Sequence, residues 1–87
     1  MKHYVYLLIC NSSNRYISYV GYTINLKKRL NLHNTSKGAK FTRGRKWTLI
    51  YKKCYKTKSL ALKQEHILKK DYKKRSEIKL KYLNKVV

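Results

Sequence analysis

The segment Tyr4 to Cys10, YVYLLIC, is the strongest constraint on the fold of this 87-residue chain. Alternation along a β-strand assigns three side chains to each face: Tyr4, Tyr6 and Leu8 to one, and Val5, Leu7 and Ile9 to the other. Both faces are apolar or aromatic, so the pattern predicts a strand that is covered on both sides. A chain of this length is expected to form one compact domain, residues 1–87, with a modest core.

Two further segments have the composition of β-strands. Residues 16–20 (YISYV) follow the polar segment NSSNR, whose side chains favour turns, so the first two strands are predicted to form a β-hairpin. Gly21 is expected to end the second strand. Residues 47–55 (WTLIYKKCY) are predicted to form the third strand.

Three helices are predicted around these strands. Asn25 is a good N-cap for a helix running to about His33, a helix of period 3.6 follows Thr57 to about Tyr72, and Ser76 opens a Lys-rich helix over about 77–84. The apolar positions expected to face the core are Leu26 and Leu30 in the first helix, and Leu60, Ile67 and Leu68 in the second. These elements predict an α+β domain with its core at about 3–75.

Basic residues greatly outnumber acidic ones in this chain. It has 23 Lys and Arg against three acids, a formal charge of +20 whose self-repulsion a polyanion would relieve. Lys-rich genome composition would account for part of the lysine content, but not for the scarcity of acids. A nucleic-acid backbone is the predicted partner, with an affinity that falls steeply with salt. The loop 34–46 carries five cations expected to bind it: Lys37, Lys40, Arg43, Arg45 and Lys46.

Other functional classes are less compatible with the sequence. The most apolar stretch is too short to span a membrane, and nothing resembles a signal peptide. Cys10 and Cys54 fit neither a disulfide framework nor a zinc site, so both thiols are expected to be buried and reduced. The predicted location is intracellular: cytoplasm or nucleoid, or the nucleus or a virus factory in a eukaryotic or viral setting.

Hydrolysis of a phosphodiester needs an activated water and positive charge on the phosphate, and few residues here suit these roles. Glu65, in the middle of a helix, is the best single metal ligand, although its spacing alone favours a solvated pair with Lys69 at i,i+4. Arg29 can donate two hydrogen bonds to a phosphate, and His33 lies on the same helix face. A catalytic tyrosine would need a pKa lowered from about 10 by cations or a metal.

Five segments in order resemble the GIY-YIG nuclease superfamily. They are Tyr4-Val5-Tyr6, then Tyr19-Val20-Gly21-Tyr22-Thr23, then LKKRL (26–30) with His33-Asn34, then KGAKFTRGRK (37–46), and Glu65. The chain is most similar to the small single-domain UPF0213/YhbQ-like members and to Slx1-like nuclease domains. The resemblance extends from Tyr4 to about Lys74.

The resemblance implies a central three-stranded antiparallel sheet flanked by helices, and it implies roles for five residues. Tyr6 would be the general base toward water, assisted through hydrogen bonds by Tyr19 and His33. Arg29 would bind the phosphate, and Glu65 would hold one Mg²⁺ or Mn²⁺ ion.

These expectations predict a metal-dependent, structure-selective DNA endonuclease in repair, recombination or mobile-DNA processing. The alternatives are a nucleic-acid-binding module on the same fold that cuts nothing, and a ribosomal or RNA-chaperone protein. DNA, including flaps and branches, is the expected partner and a membrane is not. A nuclease of this size that cuts both strands would also benefit from forming a homodimer or binding a regulatory protein.

Overall fold

The computed structural model describes residues 1–86, which form a three-stranded antiparallel sheet and three α-helices. The elements in chain order are β1 His3–Ser12, β2 Arg15–Thr23, α1 Leu26–Asn34, β3 Thr48–Tyr55, α2 Lys58–Lys70 and α3 Tyr72–Val86, with a short 3₁₀ turn at Lys40–Thr42. The strand order is β2-β1-β3. This arrangement confirms the predicted α+β fold class. No helix in the described part of the chain is long and apolar enough to cross a membrane.

β1 is the central strand, and all its residues from Val5 to Cys10 are buried. Two apolar clusters cover its two faces. One contains Val5, Leu7, Val20, Ala61 and Leu68, and the other contains Tyr6, Leu8, Cys10 and Trp47. The first face is covered by α2, while α1 packs on the second. The prediction of a strand covered on both sides is therefore confirmed.

The hairpin between β1 and β2 turns through Ser13 and Asn14. Their φ angles of 51° and 65° are the pair of positive values that a two-residue turn needs to match the twist of its strands. The resulting register places Tyr6 opposite Gly21. The sequence predicts that Gly21 ends β2. This prediction is wrong, because pairing with β1 continues to Thr23.

Helix α1 begins as predicted. The Asn25 side chain accepts a hydrogen bond from the Lys28 N–H at 3.0 Å, and Leu26 and Leu30 pack against the second cluster. In α2 only part of the predicted core face is correct: Leu68 is buried, but Leu60 and Ile67 remain 43% and 46% exposed. Ala61 is the other buried position, because a narrow stripe through Ala61 and Leu68 faces the sheet.

Two further sequence predictions are wrong. Helix α3 begins at Tyr72 and not at Ser76, because the Asp71 carboxylate accepts a hydrogen bond from the Lys74 N–H at 3.0 Å and caps the helix one residue after α2 ends. Cys10 is buried as expected, but Cys54 is exposed, since it lies on the edge strand β3.

The segment between α1 and β3 is tied down by Asn34 and Trp47. The Asn34 amide accepts from the Trp47 N–H at 2.6 Å and donates to the Trp47 carbonyl at 3.1 Å. The buried Trp47 indole donates to the Thr42 carbonyl at 2.9 Å. These bonds hold the loop between α1 and β3, which carries the five cations and is called the basic loop below, against the sheet face that carries Tyr6.

We expect Asn34→Ala to lower the free energy of unfolding by about 1–3 kcal/mol, because it leaves a partly buried N–H and C=O of Trp47 without partners. Thermal unfolding followed by circular dichroism would show the midpoint temperature of unfolding fall by about 4–8 °C for each kcal/mol of lost stability. Asn31→Ala, an exposed position on the same helix, is the matched control and should change little. Equal losses in both variants would contradict this role for Asn34.

Candidate active site

Tyr6 lies across Gly21, its partner on the adjacent strand. The Tyr6 side chain is only 2% exposed, and a Cβ atom at position 21 would overlap its hydroxyl group. The backbone of Gly21 has no positive φ, so its role is to leave space. Gly21, in the segment Tyr19 to Thr23, therefore provides the space that the Tyr6 hydroxyl occupies.

A chain of hydrogen bonds begins at the Tyr6 hydroxyl. This oxygen lies 2.8 Å from Nε2 of His33, Nδ1 of His33 lies 2.8 Å from Oγ1 of Thr42, and that hydroxyl donates to the Ala39 carbonyl at 2.8 Å. His33 and Thr42 are fully buried. A Cβ atom at Gly38 would lie 2.6 Å from Nδ1 of His33, so this glycine also leaves space for a site residue.

The direction of every bond in this chain follows from its last member. A carbonyl only accepts, so Thr42 uses its single hydroxyl proton on Ala39 and must accept from His33. Nδ1 of His33 therefore carries the proton, and the neutral ring has a free lone pair on Nε2. That lone pair accepts the hydroxyl proton of Tyr6. This assignment of the tautomer is inferred from the hydrogen-bond network.

Burial keeps both ends of the Tyr6–His33 bond neutral. It raises the pKa of Tyr6 to about 12, more than the nearby Arg29 lowers it. Burial also lowers the pKa of His33, and the positive charge of Arg29 adds to that effect. At neutral pH the site therefore holds a phenol and a neutral imidazole. Tyr6 therefore does not have the lowered pKa that the sequence analysis expected a catalytic tyrosine to need.

Arg29 lies beside these two side chains with an unused donor. Its Nε atom is buried and has no hydrogen-bond partner among residues 1–86. Its pKa is raised, chiefly by interaction with the Tyr6 hydroxyl, although that contact lacks the short, aligned geometry of the Tyr6–His33 bond. A buried guanidinium donor without a partner is the arrangement expected of a group that binds an anion.

Tyr19 is the fourth member of the active-site cluster, which also contains Tyr6, Arg29 and His33. It lies opposite Leu8 in the β-ladder, so its side chain is on the same sheet face as Tyr6. The Tyr19 ring centroid is 6.5 Å from that of Tyr6 and 5.1 Å from that of His33. The structure therefore brings together four of the five side chains named from the sequence: Tyr6, Tyr19, Arg29 and His33.

Glu65 lies on α2, and its side chain is 18% exposed. Its carboxylate is 3.7 Å from Nζ of Lys69, the i,i+4 pairing that the sequence also suggested. The Glu65 charge contributes to the raised pKa of Tyr6, so the carboxylate is electrostatically coupled to the cluster.

A metal held by Glu65 would have few protein ligands. Within the described residues no group of three His, Cys, Asp or Glu side chains lies close enough to hold a metal ion. Mg²⁺ is commonly bound through one or two carboxylates, with substrate phosphate and water as the other ligands. The partly buried carboxylate fits that kind of site.

The basic loop runs beside the cluster. Lys37, Lys40, Arg43 and Lys46 are exposed, and Arg45 is partly buried with its guanidinium carbon 5.6 Å from the Phe41 ring centroid. The sequence predicted that these cations form a nucleic-acid-binding loop, but it indicated no role for Asn34, Gly38, Phe41 or Thr42. The segment KGAKFTRGRK contains three of these four, but nothing in its local pattern shows that Thr42 reaches His33.

Comparisons of sequence and of overall fold relate this chain to known proteins. A family model described as the GIY-YIG catalytic domain matches residues 2–79. A UPF0213 protein of Oceanobacillus iheyensis is 45% identical over 69 residues, 78% of this chain and 77% of that protein. One from Haloquadratum walsbyi is 41% identical over 68 residues, 77% and 73% of the two chains. The NMR structure of a UPF0213 protein from Bacillus halodurans aligns with a TM-score of 0.50 at 36% identity, covering 93% of this chain and 86% of that one.

We expect Thr42→Val to disturb the His33 tautomer, because valine keeps the shape of threonine but cannot accept from Nδ1. The variant should lose about 1–3 kcal/mol of stability and give a mixed tautomer in ¹⁵N spectra of the imidazole. Thr42→Ser retains the hydroxyl and should preserve a single Nδ1–H tautomer. An unchanged His33 spectrum in Thr42→Val would refute the assignment.

Protonation of His33 should couple folding to pH. The pKa of His33 in the folded chain lies below the reference value of 6.5, so below about pH 7 the unfolded state binds more protons. The free energy of unfolding is therefore expected to fall as the pH drops through 6.5 toward the folded pKa. Urea titrations between pH 7.5 and about 5 would measure this slope. His33→Gln should reduce it, while His3 and His66 stay present in both proteins. The same slope in both would contradict the coupling.

Proposed function

This chain belongs to the GIY-YIG catalytic domain family, and we propose that it is a metal-dependent, structure-selective DNA endonuclease that hydrolyses phosphodiester bonds. The family match points to nuclease chemistry. The observation that supports it best in this chain is the buried Nε of Arg29, which has no hydrogen-bond partner among the described residues and lies beside the Tyr6–His33 hydrogen bond. A group suited to bind phosphate thus adjoins a group suited to accept a proton.

The scissile phosphate would be bound by Arg29. Its guanidinium adjoins the hydroxyls of Tyr6 and Tyr19, so a phosphate oxygen bound to Nε would lie near both. Arg29 would then stabilise the negative charge that develops on the phosphorus oxygens in the transition state. Tyr19 would orient the attacking water or the phosphate through its hydroxyl group.

The raised pKa of Tyr6 determines how its hydroxyl can serve as a base. With a pKa of about 12, it carries almost no phenolate at neutral pH. Tyr6 can nevertheless accept a proton from water if it passes its own proton to His33 in the same step. His33 is prepared to receive it, because its Nε2 lone pair already accepts the Tyr6 hydroxyl and Thr42 holds Nδ1–H. Such positioned proton transfer typically contributes about 10²–10⁴-fold to a rate.

Glu65 would hold the single Mg²⁺ or Mn²⁺ ion, which when bound supplies Lewis-acid polarisation of the phosphate and stabilises the leaving oxygen. The exposed cations of the basic loop would bind the flanking phosphates without reading base sequence. Selection would then depend on DNA shape, such as flaps, junctions or single-stranded ends. Repair, recombination or mobile-DNA processing are the settings in which such an activity would serve.

Cleavage of labelled single-stranded, duplex, flap and four-way-junction DNA at low salt tests this function, with Mg²⁺, Mn²⁺ or EDTA. We expect metal-dependent cutting by the wild type, fastest on the flap or junction. Tyr6→Phe should cut at least about 100-fold more slowly while still binding, since the ring packing remains and only the proton path is lost. Glu65→Gln should also lose cleavage.

Glu77→Gln is the matched control for Glu65→Gln, because Glu77 is an exposed carboxylate on α3 and its substitution changes the net charge equally. It should retain cleavage. Equal loss in both glutamate variants would remove the metal role of Glu65. Binding without cleavage on every substrate and metal would favour the non-catalytic binding module instead, and equal cutting of plain duplex and flap would exclude shape selection.

A further inference from the structure

Phe41 is an exposed aromatic side chain at the rim of the active-site cluster. Phe41 is 51% exposed and lies in a surface loop of a strongly cationic protein, where a large apolar side chain is unexpected. The ring stacks on Tyr19, with centroids 6.2 Å apart and planes 18° apart, and its centroid lies 6.1 Å from that of the buried Trp47. Phe41 is thus the outermost member of a row of rings that begins at the buried Tyr6.

The backbone around Phe41 is fixed to the site. The next residue, Thr42, is fully buried, hydrogen-bonds to His33, and receives the Trp47 indole N–H on its carbonyl. The Phe41 ring therefore has a defined position, about one ring beyond Tyr19, whose own centroid is 5.1 Å from that of His33. A base stacked on Phe41 would belong to a nucleotide next to the phosphate at Arg29.

The surroundings of Phe41 match the two chemical parts of a nucleotide. Lys40, Arg43 and Lys46 are exposed in the same loop and can neutralise phosphates, while the ring offers an apolar surface to a base. Arg45 has its guanidinium carbon 5.6 Å from the Phe41 centroid and forms no ion pair with an acidic side chain in the described part of the chain. It can therefore move onto a phosphate or onto the free side of a stacked base.

We propose that Phe41, with Arg45, forms a stacking site for an unpaired nucleobase adjacent to the scissile phosphate. Bases inside a duplex have both faces covered by their neighbours, whereas an unpaired base in a single strand or flap has a face free to stack on an exposed ring. The inference rests on the proposed nuclease function and deepens it, because it identifies the feature that would select branched or single-stranded DNA. The stacking itself requires neither metal nor cleavage.

Binding in EDTA tests the stacking site separately from catalysis. Fluorescence anisotropy would compare a duplex carrying a single-stranded overhang with the same duplex carrying an abasic overhang, which keeps the phosphates but lacks the bases. We expect the wild type to bind the natural overhang about 5- to 150-fold more tightly, the range typical of one base stacking on an aromatic side chain. Phe41→Leu keeps an apolar side chain but loses the aromatic face, and it should abolish this ratio.

Two control variants distinguish stacking at position 41 from a general effect of surface aromatic side chains. Phe41→Tyr should preserve the ratio. Tyr72→Leu removes an even more accessible aromatic, 72% exposed with the guanidinium carbon of Arg75 5.8 Å from its ring centroid, and should also preserve the ratio. The salt dependence of binding should be the same for Phe41→Leu and the wild type, because no phosphate contact is lost. The emission of Trp47, the only tryptophan, reports whether each variant remains folded.

A wild type that does not distinguish the two overhangs, or a Phe41→Leu variant that keeps the full ratio, would overturn the proposal. A ratio that depends on Phe41 supports it even if no DNA is cut, in which case the nuclease proposal fails alone. Metal-dependent cleavage with no ratio would uphold the nuclease function and reject the stacking site.

Discussion

Tyr6 donates its hydroxyl proton to His33, and His33 donates in turn to Thr42, at distances of 2.8 Å in a buried environment. These residues come from the central strand, the first helix and the loop that follows it. Loss of one partner would leave another buried polar group unpaired, so the three segments must satisfy one geometry together. The chain of hydrogen bonds therefore aligns α1 and the basic loop with the sheet, and it also sets the protonation states on which the proposed chemistry depends.

Space beside these hydrogen bonds is provided by two glycines. A side chain at Gly21 would overlap the Tyr6 hydroxyl, and one at Gly38 would lie 2.6 Å from Nδ1 of His33. Neither glycine has a positive φ, whereas Gly44, which does, has open space around it. In this domain the two glycines nearest the site thus serve close packing, and of the three glycines Gly44 alone has a backbone conformation that favours glycine.

The three acidic residues contrast with the 23 basic ones. Asp71 caps α3, Glu65 is partly buried and electrostatically coupled to Tyr6, and Glu77 is exposed on α3. Three acidic side chains cannot pair with more than a few of the 23 basic ones, and a bound phosphate backbone would reduce the self-repulsion of the rest. In the proposed stacking site, the exposed aromatic surface next to these cations would add an affinity for bases to an affinity for phosphates.

The sequence by itself determined the succession of strands and helices along the chain and the covering of β1 on both faces, because these depend on local alternation and capping. It also placed Arg29 and His33 on one helix face. Tertiary structure decided the rest: that Ala61 rather than Leu60 faces the sheet, that Thr42 fixes the His33 tautomer, and that burial raises the Tyr6 pKa. Tyr6 and His33 are 27 positions apart, and desolvation depends on everything packed around a group, which no local pattern of residues specifies.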